Sequence, residues 1–140
     1  MGRVRIIAGF LQNDSEMVDG TIKALKQVYE IRDENMGSTE EGENDGFYVD
    51  GSYVDHTNVA YNGAYGNVML DGFSQLLPAL TNNTSFDREE VNKIHDIIDK
   101  SFLPFLHRTQ MMDMVRGRSI SREKLQPHNS GAEVIRSIMR

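Results

Sequence analysis

The sequence predicts an all-α chain of helical hairpins joined by long polar loops. Apolar residues recur at helical spacing in stretches spread along the whole chain. Capping residues stand ahead of several of these stretches. Only Phe47 to Val54 alternates in the manner of an extended segment.

Residues 1–12 carry Ile7, Phe10 and Leu11 on one helical face, without an evident N-cap. Asn13-Asp14-Ser15 interrupts that helix and caps the next, from about Glu16 to Ile31. Val18, Ile22, Leu25, Val28 and Tyr29 form its apolar stripe, which predicts core packing. Asp33 to Gly46 is acidic and glycine-rich, the composition of a solvated surface loop. Glu41, Glu43, Asp45 and Gly46 echo a calcium loop, but Ser52 stands where its closing bidentate Glu belongs. A helix starts near Ala64, carries Val68, Met69, Phe73, Leu76 and Leu77, and is expected to end near Pro78. Thr81 to Asp87 reads as a polar loop. Asp87 with Glu90 reads as a capping box for a helix over 88–102, with Val91, Ile94, His95, Ile98 and Phe102 inward. Ser130 with Glu133 reads as a second capping box, for a last helix bearing Val134, Ile135 and Ile138.

At 140 residues the chain has the size of one domain or a piece of a larger one, and 39% hydrophobic content suffices for a modest core. A net charge of −6 argues against a general nucleic-acid binder. With no cysteine there is no disulfide, thiolate metal site or cysteine nucleophile. No apolar run reaches membrane-spanning length, and MGRVRIIAGFL carries no cleavage-site pattern, so no membrane partner and no signal peptide are expected in these residues.

The functional signal lies between Asp50 and Asp71, where His56, Asn58, Tyr61, Asn62, Tyr65 and Asn67 crowd together with Gly51, Gly63 and Gly66. Charge is nearly absent between His56 and Asp71. Neutral donors and closely approachable backbone suit a ligand cleft. His56 and Tyr65 are nine residues apart, which puts them on opposite faces of one helix or one strand. They meet only if the chain turns between them, and Asn62-Gly63 is the strongest turn signal there. A second cluster, Arg116, Arg118 and Arg122 with Ser119 and Ser121, suits carboxylates and sulfates, or else pairs with the acidic excess of the chain. His95, His107 and His128 show no ligand spacing, and His56 beside Asp55 has no second His at helical spacing; no metal or cofactor is expected.

The blocks DGSYVDHTNVAYNGAYGNV, GFSQLLP, IDKSFLP and RGRSISR, in this order and spacing, resemble the polysaccharide lyases of family 8. That family includes hyaluronate, chondroitin AC and xanthan lyases, and the chain is most similar to the hyaluronate lyases. The resemblance implies that residues 1–140 are a central piece of an incomplete (α/α) toroid, the catalytic domain of a secreted, usually monomeric enzyme. The N-terminal part of that domain and the C-terminal β-domains would lie outside these residues. It implies β-elimination on acidic polysaccharides such as hyaluronan or chondroitin. By motif match, His56 and Tyr65 correspond to the catalytic histidine and tyrosine, and Arg118 and Arg122 to arginines beside them. Asn58, Asn67 and Arg116 are the expected substrate contacts.

The residue types suit that chemistry. The uronate carboxylate must be neutralised before the C5 proton becomes removable. His56 then acts as base and Tyr65 as acid, or Tyr65 does both while His56 helps to hold the carboxylate. The resemblance places a carboxylate-neutralising asparagine and an aromatic wall upstream of MGRVR, and an arginine-pairing glutamate beyond Arg140. The 140 residues by themselves are therefore expected to be nearly inactive. A half-cleft that binds polyanion without cutting it is the alternative, and an exposed half-toroid core that self-associates is a third expectation.

Overall fold

The computed structural model describes residues 2–33, 43–83 and 86–140, the side chain of Asn83 excepted. Its first two helices, α1 (Gly2–Gln12) and α2 (Ser15–Val28), pack against each other. Asn13 makes the corner at a φ of 53°, and the Asp14 carboxylate accepts the Met17 N–H at 2.9 Å, as the capping signal predicts. The buried side of α1 is Ile6 with Gly9, which lies close against Val18, so the expected face of Ile7, Phe10 and Leu11 is corrected to an exposed one. Both sides of this helix are apolar, and the sequence pattern alone does not rank them.

The extended segment expected at 47–54 is two strands of a small sheet. Its members are β1 (Ile31–Arg32), β2 (Gly46–Tyr48), β3 (Tyr53–Asp55) and β4 (Val59–Ala60), in that order. β1 runs parallel to β2, and the other pairs are antiparallel. Aromatic and β-branched residues in short runs favour this local pairing, while the chain as a whole is predominantly helical, in keeping with a partial toroid. Residues 34–42 of the acidic loop, including Glu41 of the calcium-like pattern, and residues 84–85 of the second polar loop lie outside the described residues.

One π-helical turn over Asn62–Gly66 leads into α3 (Asn67–Asn83). α3 passes through Pro78 rather than ending there, because Phe73, Leu76, Leu77 and Leu80 continue one inward stripe and Pro78 faces solvent. α4 (Arg88–Ser101) is capped by the Asp87 carboxylate, which accepts the Glu90 N–H at 3.1 Å. The Glu90 side chain does not return the bond but reaches Tyr29 and Lys26 instead. His95 is exposed and Ile97 takes the inward position expected for it.

After α4 the chain forms a 3-10 turn, the hairpin β5 (Leu106–His107) and β6 (Gln110–Met111), two further 3-10 turns, and α5 (Pro127–Met139). α5 opens on Pro127, a favoured first helical residue. Ser130 and Glu133 thus sit inside it, and the expected capping box there is corrected. One core joins these elements. It runs from Ile22 and Tyr29 through Phe47, Phe73 and Phe102 to Met111 and Val134, with edge-on ring contacts such as Tyr29–Phe73 at 5.3 Å.

Candidate functional site

Two segments far apart in sequence build the site. In the first, the chain reverses between β3 and β4 at His56 and Thr57, whose φ values are 53° and 74°. The expected turn at Asn62-Gly63 is therefore corrected. Asn62 is fully buried, and its amide does structural work. Its Oδ1 accepts the Tyr53 N–H at 3.1 Å, and its Nδ2 donates to the carbonyls of Gly51 at 2.9 Å and Ser101 at 2.7 Å. This ties the hairpin to the end of α4. Gly63 is required by close approach, since a Cβ there would overlap the Met111 side chain.

The π-helical turn, closed by Gly66 N–H to the Tyr61 carbonyl at 3.0 Å, aims Tyr65 back at the hairpin tip. His56 stacks on Tyr65 with centroids 4.9 Å apart and planes 28° apart. Tyr61 lies beneath both rings, 5.0 Å edge-on from Tyr65 and 5.5 Å from His56. The His56 Nδ1 pairs with the Asp55 carboxylate. Burial, and then the neighbouring Asp55, push the Tyr53 phenol well above its ordinary pKa, so it stays neutral and donates to Asp55 Oδ2 at 3.4 Å.

The second segment is Arg116-Gly117-Arg118. Arg118 Nη2 stands 3.0 Å from His56 Nε2 and 3.0 Å from the Tyr65 hydroxyl oxygen. A guanidinium nitrogen only donates, so His56 Nε2 is the acceptor and the Nδ1–H faces Asp55. The bond to Tyr65 is the main influence holding Arg118 above its already high ordinary pKa. The Arg118 backbone N–H also donates to the Tyr61 hydroxyl at 3.3 Å.

Arg122 is exposed and lines the same cavity as Tyr61, Tyr65, Arg118, Ser130 and Glu133, a hollow of about 170 Å³. The other expected contacts lie elsewhere. Arg116 is 1% exposed and does not line the cavity; its two Nη groups donate to Asp113 and to the carbonyls of Leu125 and Ser119. Those donors are spent on the fold, while its buried Nε has no hydrogen-bond partner among the described residues. Asn67 is buried behind the cavity, with Nδ2 donating to Glu133 Oε2 at 3.2 Å. Asn58 is exposed in the β3–β4 loop and does not line the cavity.

Sequence reasoning missed Glu133 and Ser130 as cavity residues. Their i, i+3 spacing places them on one helical face, the same spacing that imitates a capping box. Larger hollows lie away from this site, among them one of about 220 Å³ at the α1–α2 corner beside Gly9, Asp14 and Val18. One of about 530 Å³ is lined by Lys26, Tyr29, Glu90 and Lys93, and both these lysines are bonded to Glu90. One of about 330 Å³ lies between the first helices and α3. None of these gathers two tyrosine rings and two guanidinium groups as the smaller cavity does.

Residues 1–140 match the family model described as polysaccharide lyase family 8, N-terminal alpha-helical domain. The chain is 34% identical over 142 residues to a hyaluronate lyase of Staphylococcus aureus, covering 100% of this chain and 17% of that protein. It is 41% identical over 97 residues to a xanthan lyase of Bacillus sp., covering 69% of this chain and 10% of that protein. Among solved structures it resembles a Paenibacillus xanthan lyase with a TM-score of 0.79 at 35% identity, over 99% of this chain and 12% of that one. It also resembles a Streptomyces coelicolor chondroitin AC lyase, solved with chondroitin sulphate, with a TM-score of 0.77 at 30% identity, over 98% of this chain and 19% of that one. The chain thus spans under a fifth of the length of each of these relatives.

Proposed function

The chain belongs to polysaccharide lyase family 8, and from that premise we propose that its 140 residues carry the histidine–tyrosine–arginine side of a site for β-elimination on uronic-acid polysaccharides. The observation that carries this reading is the single Arg118 nitrogen within hydrogen-bond reach of both His56 Nε2 and the Tyr65 hydroxyl.

Consider a uronate in the cavity. Elimination removes the C5 proton, forms the C4–C5 double bond and expels the glycosidic oxygen from C4. The developing negative charge sits on the uronate carboxylate and needs donors around it. A guanidinium beside the Tyr65 oxygen stabilises negative charge there, so the phenolate can take the C5 proton and the phenol can return it to the departing oxygen. His56 Nε2 is occupied by Arg118 in this arrangement. That supports giving both transfers to Tyr65, with His56 held by Asp55 as a neighbour to the carboxylate. Arg122, exposed at the same cavity, is suited to the next anionic group along the polymer. An enzyme on so large a polymer works outside the cell, where we place the parent protein.

A second reading is favoured by the size of the cavity. About 170 Å³ is below the roughly 300–1,000 Å³ usual for ligand pockets and admits about one sugar ring. The 140 residues alone therefore act as a binding half-site for polyanionic carbohydrate.

The test is turnover of hyaluronan and chondroitin, followed by near-ultraviolet absorbance of the unsaturated uronate. Three samples are compared: the 140 residues, the same residues joined to the remaining helices of a family 8 domain, and that protein with Tyr65→Phe. The expected order is binding with little turnover, turnover, and binding without turnover. Undiminished turnover in Tyr65→Phe would remove Tyr65 from the chemistry, and failure of all three to bind would end the reading.

A further inference from the structure

Among the described residues, Glu133 is the one carboxylate lining a cavity that also receives Arg118 and Arg122. An acidic group at the mouth of a polyanion site works against affinity unless it has a selective use. Asn67, 5% exposed at the start of α3, donates to Glu133 Oε2 at 3.2 Å. That bond fixes the carboxylate from behind and leaves Oε1 as an acceptor. Ser130, one helical turn earlier, lines the same hollow and adds a hydroxyl.

The polymers in question alternate a uronate with an amino sugar. The amino sugar is neutral when unsulfated, and its hydroxyls and acetamido N–H are donors. A carboxylate accepts from such donors and repels a sulfate. Resting on the reading above, we propose that Glu133 is a specificity-determining residue. It accepts a hydrogen bond from the unsulfated amino sugar joined to the uronate at the cavity's rim and disfavours the same ring bearing sulfate. Asn67 is its positioning residue, holding the carboxylate in place from the buried side.

The experiment titrates the chain, at one fixed salt concentration, with size-matched oligosaccharides of hyaluronan, unsulfated chondroitin, chondroitin 4-sulfate and chondroitin 6-sulfate. The proteins are wild type, Glu133→Gln, Glu133→Ala, Glu133→Asp and, as a control for general charge, Asp99→Asn, an exposed carboxylate on α4 outside the cavity. Wild type should prefer the unsulfated ligands by about three- to tenfold, the scale of one partly exposed charge contact. Glu133→Gln and Glu133→Ala should bring that ratio close to one. Glu133→Asp and Asp99→Asn should keep it. An unchanged ratio in both charge-removing variants, or no preference in wild type, overturns the role of Glu133 while leaving the cleft intact. No binding of any ligand overturns the cleft reading and this inference with it.

Discussion

Gly117 and Tyr61 are fitted to each other: the Tyr61 ring occupies the space that any Cβ at position 117 would need. Gly117 also holds a φ of 50°, in the left-handed region. The contact lets the backbone of Arg118 come within 3.3 Å of the Tyr61 hydroxyl while its side chain passes over the rings. Gly117→Ala should therefore cost about 1–3 kcal/mol, combining overpacking with backbone strain, and should weaken oligosaccharide binding. Gly20→Ala, in α2 with nothing near its Cβ, should stabilise by about 0.5–1 kcal/mol. Urea denaturation of both variants, read beside a binding titration, checks the contrast.

The two flanking arginines of RGRSISR should separate cleanly. Arg116→Ala removes a buried guanidinium and strands the Leu125 carbonyl, so it should destabilise by about 2–4 kcal/mol. Arg122→Ala is exposed, and should leave stability within about 0.5 kcal/mol while reducing affinity for acidic oligosaccharides. If Arg122→Ala destabilises as strongly as Arg116→Ala, Arg122 is structural as well.

Glu90 and Tyr29 set a pH window for stability. The 2.6 Å bond from Tyr29, then those from Lys26 and Lys93, hold the Glu90 carboxyl below the ordinary range. A depressed native value means that stability is fully present above about pH 4.3 and is lost as the pH falls through that native value. Burial, and then Glu90, push the Tyr29 phenol well above its ordinary value. That stability is present below about pH 10 and is lost as the pH rises further. Tyr29→Phe and Glu90→Gln should each cost about 1–3 kcal/mol at neutral pH, and Glu90→Gln should flatten the acid limb. Thermal melts from pH 3 to pH 11 read both effects.

The His56 ring should be a neutral imidazole with its proton on Nδ1, since Asp55 faces Nδ1 and Arg118 donates to Nε2. Long-range proton–nitrogen NMR reports which nitrogen is protonated. Arg118→Ala should shift the Nε2 resonance more than Nδ1, because only Nε2 loses its partner. A wild-type spectrum with the proton on Nε2 would show that Arg118 does not donate there.

Much of this was legible in the chain, and what was not has a physical cause. Helices with strong caps, such as that opened by Asp14, announce themselves through local chemistry. The sequence permits His56 and Tyr65 to converge across a turn, but the chain reverses at His56–Thr57 and not at Asn62-Gly63. Asn-Gly is a strong turn signal only when no tertiary partner competes, and three buried hydrogen bonds recruit Asn62. The three arginines look alike in sequence, yet one is interior, one bridges the rings and one faces solvent. That division depends on a backbone path set by Gly117 and Met111, more than fifty residues from the hairpin in the chain. Pro78 does not stop α3 because its cost falls on one exposed turn, while the stripe around it stays buried.

The π-helical turn at Asn62–Gly66 has a consequence for how such a site arises and is lost. A π turn holds one residue more than an α turn, and here that extra residue stands at the head of α3. Excising that residue would rotate everything before it by about 100° relative to the helix. Tyr65 would then swing away from His56 while α3 kept its own packing. One codon thus separates a helix that aims a phenol at a guanidinium from one that merely fills a core. The arrangement of the rings is held by one local turn and not by the packing of the helix that follows it.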